Sequence, residues 1–218
     1  MAFEQINRIV LAVGRRTPSG VNLLGTCFLT HLEGVFATCS HVTESNDQNL
    51  VIAFKGDLGS FEEYQDTSDN QVQFLDASIK EIDPVHDLCL LETTAKNKSN
   101  ISTGNTDSLS IGDNVGIFGF PHANHGRMIL THQRAEIGAK VLIEASGIKS
   151  KHIVLNVQAR PGQSGGPIIN LKNGELAAVL VGSYAPTTQG GISLGGIDPQ
   201  TLHQTTHAIS AQYLNDLF

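Results

Sequence analysis

Ser164 lies in the stretch Arg160-Pro161-Gly162-Gln163-Ser164-Gly165-Gly166-Pro167, directly ahead of the apolar pair Ile168-Ile169. Glycine opens backbone conformations that other residues resist and leaves nearby amides uncovered. A tight turn here would aim the Ser164 hydroxyl outward and let the amides of Gly162 and Ser164 converge beside it. Such paired donors suit the oxyanion that develops during acyl transfer. The competing reading is a Gly-rich turn with a spectator serine. A serine hydroxyl becomes an effective nucleophile only when a base takes its proton. His41 ends the β-prone run Phe36-Ala37-Thr38-Cys39-Ser40, and Asp87 opens the apolar run Leu88-Cys89-Leu90-Leu91. The order His41, Asp87, Ser164, with separations of 46 and 77 residues, requires a fold to bring the three together. Triads are defined by geometry and role, and this order is one of several that occur.

Rivals for these roles sit close by. Asp83 precedes Pro84 in a turn-like segment and is the alternative acid. His86 adjoins Asp87, but neighbouring residues on a strand point to opposite faces, so it is expected to face away. Nine histidines raise the question of metal. His122, His125 and His132 fall in one short stretch, and His203 and His207 are four apart, yet no cysteine or carboxylate completes a zinc set. They read as loop or surface residues, and neither a metal nor a cofactor is expected.

The elements that must position these residues are mostly short strands bounded by turn residues. In the first half they are expected at 9–13, 23–30, 35–38, 50–54, 72–82 and 88–92. In the second half they are expected at 114–118, 128–133, 140–143, 153–157, 167–170 and 176–181. Residues 93–107 are rich in Thr, Asn, Ser and Lys and read as a connector. Ile209, Tyr213, Leu214 and Leu217 recur at helical spacing behind Ser210, which predicts a capped terminal helix. The pattern is all-β.

The three chemical segments resemble the motifs of trypsin-like serine peptidases. Phe36 to His41 matches the family's histidine motif, His86 to Leu91 its aspartate motif, and Pro161 to Pro167 its serine motif. Leu24 to Thr30 resembles the strand preceding the family's histidine, Ile111 to Pro121 and His207 to Ser210 resemble segments of the HtrA-type bacterial branch, and the likeness to the family runs from about Ile9 nearly to the end. It implies one peptidase domain over 1–218 of chymotrypsin-like fold: two packed antiparallel six-stranded Greek-key β-barrels and a C-terminal α-helix. The first barrel would span about 8–95, the connector 96–110, the second barrel 111–200 and the helix 208–217. It further implies a serine endopeptidase with triad His41, Asp87 and Ser164, an oxyanion hole at the Gly162 and Ser164 amides, and a specificity pocket from Gln158, Val181, Gly182 and Ser183, with Gly190-Gly191 behind them. None of these pocket residues is acidic, and the nearby Asp198 precedes Pro199, so small or medium uncharged side chains are the expected substrates.

Departures from the family pattern are visible. Digestive relatives carry an aspartate before the serine to receive a new N-terminus, where this chain has Gln163. The position that in many relatives gives a hydroxyl to the triad aspartate is Val181 or Gly182. No PDZ domain is expected after Phe218. A catalytically silent or partner-activated binding module and a viral polyprotein-processing peptidase are the alternatives.

A chain of 218 residues with 40% hydrophobic and 16% charged residues describes an ordinary folded unit with a sizeable core. The net charge of −7 argues against general nucleic-acid binding. Cys27, Cys39 and Cys89 make an odd count, read as small buried residues of a reducing compartment rather than a disulfide framework. No signal sequence and no apolar run long enough to cross a bilayer are evident, so the expected setting is cytoplasmic, with a polypeptide substrate, an activating protein as a further partner, and neither nucleic acid nor membrane.

Overall fold

A computed structural model describes residues 6–56, 59–69, 71–184 and 205–218, with the backbone only for Ser183 and Tyr184. Gly190, Gly191, Asp198 and His203 lie outside the described residues. Twelve strands are formed: β1 Val10–Thr17, β2 Gly20–Leu29, β3 Val35–Cys39, β4 Leu50–Lys55, β5 Val72–Asp83, β6 Leu88–Thr93, β7 Asn114–Gly119, β8 Thr131–Ala145, β9 Ile148–Leu155, β10 Pro167–Asn170, β11 Leu176–Tyr184 and β12 Thr205–Ser210. They close into two antiparallel barrels in the orders β1-β2-β3-β6-β5-β4 and β10-β11-β12-β9-β8-β7. The fold is thus all-β and chymotrypsin-like.

Strand side chains alternate in direction, and the second barrel uses both directions for apolar contact. Ile117, Ile168, Ala178, Leu180 and Ala208 join the cluster inside it. Their neighbours Phe118, Ile169, Val179 and Ile209 join the cluster of the first barrel instead. Strands buried on both faces read as continuous apolar runs, which is how β7, β10 and β11 appear in the sequence. This shared layer sets the barrels side by side.

Two expectations are corrected. The segments expected at 128–133 and 140–143 are parts of one strand, β8, which starts only at Thr131 and runs on because Gly138 is taken up in a bulge where the register against β9 shifts between Ile137 and Ala139. The C-terminal α-helix over 208–217 is instead strand β12 followed by a 3₁₀ helix, Ala211–Asp216. Residues 205–210 pair with β11 and β9, and the second barrel closes only through them, so pairing overrides the helical spacing. Ser210 makes no cap; its hydroxyl accepts the Thr106 amide at 3.1 Å.

The connector is held at both ends, through the Ser99 amide to the Thr30 carbonyl and through Thr106 to Ser210. No described helix is long and apolar enough to cross a membrane.

All three cysteines are buried and unbridged. Burial pushes the Cys89 thiol up to about 11 and the thiols of Cys27 and Cys39 upward as well. Thiolates are the reactive species, so these groups are inert in the folded protein. A thiol reagent should therefore find three groups after denaturation and almost none before. Reducing agent should leave Tm unchanged. A single titratable thiol in denaturant would instead demonstrate a bridge.

Candidate active site

Strand pairing brings His41 to Asp87. β3 runs against β6 with Cys39 opposite Leu88, so the residues after one strand face the residue before the other. Ser40–Thr43 form a single α-helical turn, α1, and the Ser40 amide donates to the Asp87 carbonyl at 3.1 Å. His41 Nδ1 then lies 2.6 Å from Asp87 Oδ2, while the His41 amide donates to Oδ1 at 2.9 Å. The Ser40 hydroxyl also donates to Oδ1, at 2.6 Å. Burial alone would raise the Asp87 carboxyl, but the hydrogen bonds from His41 and Ser40 and the His41 charge outweigh it and hold it below its ordinary range. Half of the His41 side chain is exposed.

Asp83 and His86 pair with each other rather than with His41. His86 Nδ1 is 2.5 Å from Asp83 Oδ2, and Asp83 Oδ1 accepts the amides of Val85 and His86, each at 3.0 Å. The His86 ring stacks on Tyr213 with centroids 3.9 Å apart. This braced turn delivers Asp87 with φ of 54°, a left-handed conformation that is uncommon for a non-glycine residue and is kept only where surroundings impose it. Asp83 therefore supports the turn, and His86 faces the terminal helix.

The Ser164 turn is fastened to both barrels. The Thr26 amide donates to the Ser164 carbonyl at 2.9 Å, and the Gly165 amide to the Leu180 carbonyl at 2.8 Å. The Thr26 hydroxyl, fully buried, donates to the Gly162 carbonyl at 2.7 Å and accepts the Phe120 amide at 3.1 Å. Gly162 has φ of 94°, and a Cβ there would overlap the Phe120 carbonyl. Gly165 has φ of 82°, and a Cβ there would overlap Thr38 Oγ1, two residues before Ser40. Only glycine meets both demands at these positions. Gln163 is 1% exposed and turns back so that its Oε1 accepts the Arg160 amide at 2.8 Å. The turn is thus braced from within, at the position where digestive relatives use an aspartate.

Among the described residues, neither the Gly162 nor the Ser164 amide has an acceptor. Two free donors flank the serine. Ser164 Oγ lies 3.5 Å from where a Cβ on Gly182 would sit, and no hydrogen bond joins it to His41. Such bonds are often long without substrate and tighten when it binds.

Of the expected pocket residues, Val181 and Gly182 are half-buried on β11, and the Ser183 backbone continues that strand. Gln158 is exposed, and the next amide, that of Ala159, donates to the Thr206 hydroxyl on β12 at 2.8 Å. Among the described residues one trio of metal-capable side chains has ligand atoms within 4.8 Å of one another: Cys39, His41 and Asp87. His122, His125 and His132 form no such group.

Sequence reasoning passed over Ser40 and Thr26. The signal for Ser40 was its place directly before His41. Thr26 gave no signal, since its partners lie 136 and 94 residues away.

The sequence profile of the trypsin-like peptidase domain matches residues 25–179, a stretch that takes in His41, Asp87 and Ser164. The probable periplasmic serine endoprotease DegP-like of Pseudomonas fulva (strain 12-X) is 28% identical over 160 residues, covering 72% of this chain and 28% of the relative. Its namesake in Chlamydia pneumoniae is 25% identical over 169 residues, covering 73% and 29%. The chain therefore spans less than a third of the length of these relatives. The MamO protease domain of Magnetospirillum magneticum superposes with a TM-score of 0.69 at 14% identity, covering 99% of this chain and 98% of that one. The HtrA-type protease AlgW with a tripeptide gives 0.64 at 21% identity, covering 95% and 58%. These structural likenesses establish the fold.

The bracing of the Asp87 turn has a measurable consequence. Burial works against the Asp83 carboxylate, but its bonds with His86 and Val85 prevail and lower it. A carboxyl lowered on folding stabilises the protein above the ordinary carboxylate range near pH 4, and that contribution fades as pH falls through the folded value. Asp83→Asn should therefore lower Tm by a few degrees at pH 7. The gap should close in acid. Equal melting of the two proteins at pH 7 would refute this role.

Proposed function

This chain belongs to the trypsin-like peptidase domain family, and from that premise we propose that it is a serine endopeptidase working through an acyl-enzyme. One observation carries the reading: Gly165, next to Ser164, packs against Thr38 and Cys39, just ahead of the His41–Asp87 pair, in a turn whose Gly162 and Ser164 amides have no acceptor among the described residues. In the proposed reaction Ser164 Oγ attacks the substrate carbonyl while His41 takes the hydroxyl proton. The carbonyl oxygen, now negative, accepts from the Gly162 and Ser164 amides. His41 returns the proton to the leaving amine as the peptide C–N bond breaks. Water, activated by the same imidazole, then releases the acid and restores Ser164. Asp87 holds the ring in the required tautomer and stabilises its charged form. No step calls for a metal or a cofactor.

The substrate proposed is a polypeptide with an uncharged residue entering beside Gln158, Val181, Gly182 and Ser183. A buried cationic side chain needs a paired charge, and none of these residues offers one. The reducing compartment inferred from cysteine usage is part of the proposal for location. The DegP-like relatives are named as periplasmic, and burial would protect three thiols there too, so cell fractionation decides between the two.

A second reading draws on the absent Ser164–His41 bond: a resting enzyme that a protein partner completes. A fluorophosphonate probe separates the two. Labelling of pure protein at Ser164 supports the first reading, whereas labelling only in lysate supports the second.

Ser164→Ala should remove cleavage by several orders of magnitude while leaving Tm intact. Asp87→Asn should lower turnover by roughly 10⁴, because the amide favours the wrong histidine tautomer. Asp83→Asn should cost far less, and the reverse ranking would show that the acid is misassigned.

Specificity is tested with a mixed peptide library, where cuts after uncharged residues are expected to dominate. A majority of cuts after Lys or Arg would overturn the pocket assignment and leave the triad standing.

A further inference from the structure

The Asp87 carboxylate has a hydroxyl donor on a residue where the family resemblance does not place one. In many relatives that hydroxyl comes from the position of Val181 or Gly182, and neither residue has one. On this side the neighbouring contact is the Cys39 thiol, which donates to the Leu180 carbonyl at 3.4 Å. The hydroxyl comes instead from the opposite direction, from α1. Ser40 grips Asp87 at two points, with its amide on the Asp87 carbonyl at 3.1 Å and its hydroxyl on Oδ1 at 2.6 Å. Ser40 is 8% exposed, so water competes little for this bond.

We propose that Ser40 is a positioning residue for the proposed triad: its hydroxyl fixes the rotation of the Asp87 carboxylate and draws charge toward Oδ1, setting how firmly Oδ2 holds the His41 imidazolium. The inference rests on the peptidase reading for its catalytic meaning, but its electrostatic part does not need turnover. The χ2 torsion of an aspartate is broad and roughly two-fold, so a carboxylate held only by His41 would sample more orientations. Two donors on Oδ1, the Ser40 hydroxyl and the His41 amide, remove that freedom and turn Oδ2 toward the ring, while the buried Cys39 thiol also lies against the carboxylate. A hydrogen bond to a charged acceptor is also among the stronger kinds.

The other titratable groups that sense Asp87 or lie against its turn are Cys39, Cys89, His152 and the Asp83–His86 pair. Cys39 and Cys89 are raised by burial, and His152 is pushed down to about 4 by burial and by its histidine neighbours. None of these three changes charge between pH 5 and pH 8. His86 is told apart from His41 by resonance assignment.

The sign of the effect follows from the charge. Without the Ser40 hydroxyl, more negative charge stays on Oδ2, the imidazolium is held harder, and the His41 titration midpoint rises.

The experiment follows the His41 ring by NMR in Ser164→Ala protein, with and without Ser40→Ala. The midpoint should rise by up to about one pH unit in the double variant. Ser40→Thr, which keeps the hydroxyl, should leave it in place. Ser40→Cys, similar in volume but a weaker donor, should move it the same way and serves where the alanine variant does not fold. With Ser164 intact, Ser40→Ala should lower kcat roughly ten-fold with KM within about two-fold, and should move the acid limb of the pH profile upward. An unmoved midpoint, or a threonine variant shifted as far as the alanine one, would overturn the proposal. A moving midpoint in a protein that cleaves nothing and takes no fluorophosphonate label, pure or in lysate, would uphold Ser40's role and defeat the peptidase reading instead.

Discussion

The apolar layer shared by the two barrels is the constraint on which the rest depends. Phe118, Ile169, Val179 and Ile209 leave the interior of their own barrel to join the core of the other. Their neighbours Ile117, Ile168, Ala178 and Ala208 stay behind to fill it. A strand can serve two cores in this way because its side chains alternate. The layer fixes where Ser164 stands relative to His41, since one comes from each barrel. Polar contacts then set the docking in detail. Thr26, on β2, reaches across to the Gly162 carbonyl and the Phe120 amide. These groups are buried, and leaving any of them unpaired would be expensive, so the barrels have one acceptable position rather than a range.

Asp87 is the strained residue of the proposed triad, and hydrogen bonds restrain it. Asp87 is held left-handed at φ of 54° by the Asp83-braced turn on one side and the Ser40 amide on the other. Gly162 and Gly165 adopt positive φ in spaces that admit no Cβ. Among the described residues the Gly162 and Ser164 amides have no acceptor, and they are the donors that the proposed reaction uses. For a non-glycine residue such as Asp87 the left-handed conformation costs about 1–3 kcal/mol, which is tolerable only where the surrounding structure over-determines it, whereas Gly162 and Gly165 adopt theirs without a Cβ to oppose it.

Family likeness and local solution part company at two residues. Gln163 braces the serine turn by accepting the Arg160 amide, a neutral bond within one loop. Ser40 donates to Asp87 from the same helical turn that carries His41. Their partners lie three and 47 positions away along the chain. The motifs are thus preserved while the side chains supporting them are different.

The sequence by itself determined the fold class, the family and the three segments His41, Asp87 and Ser164, because each motif is local: glycines bracket the serine, and β-prone runs abut the other two. It also carried most strands, since alternation and apolar runs are short-range signals. Tertiary structure alone decided which acid His41 meets. Asp83 and Asp87 are both plausible in sequence, and the register of β3 against β6 selects Asp87 while Asp83 turns to His86. It alone made residues 205–210 a strand, because barrel closure needs a partner between β11 and β9 and outweighs helical spacing. It alone gave Ser40, Thr26 and Gln163 their tasks. A hydrogen bond depends on distance and direction in space, and no pattern along the chain encodes those for partners as far apart as Thr26 and Gly162.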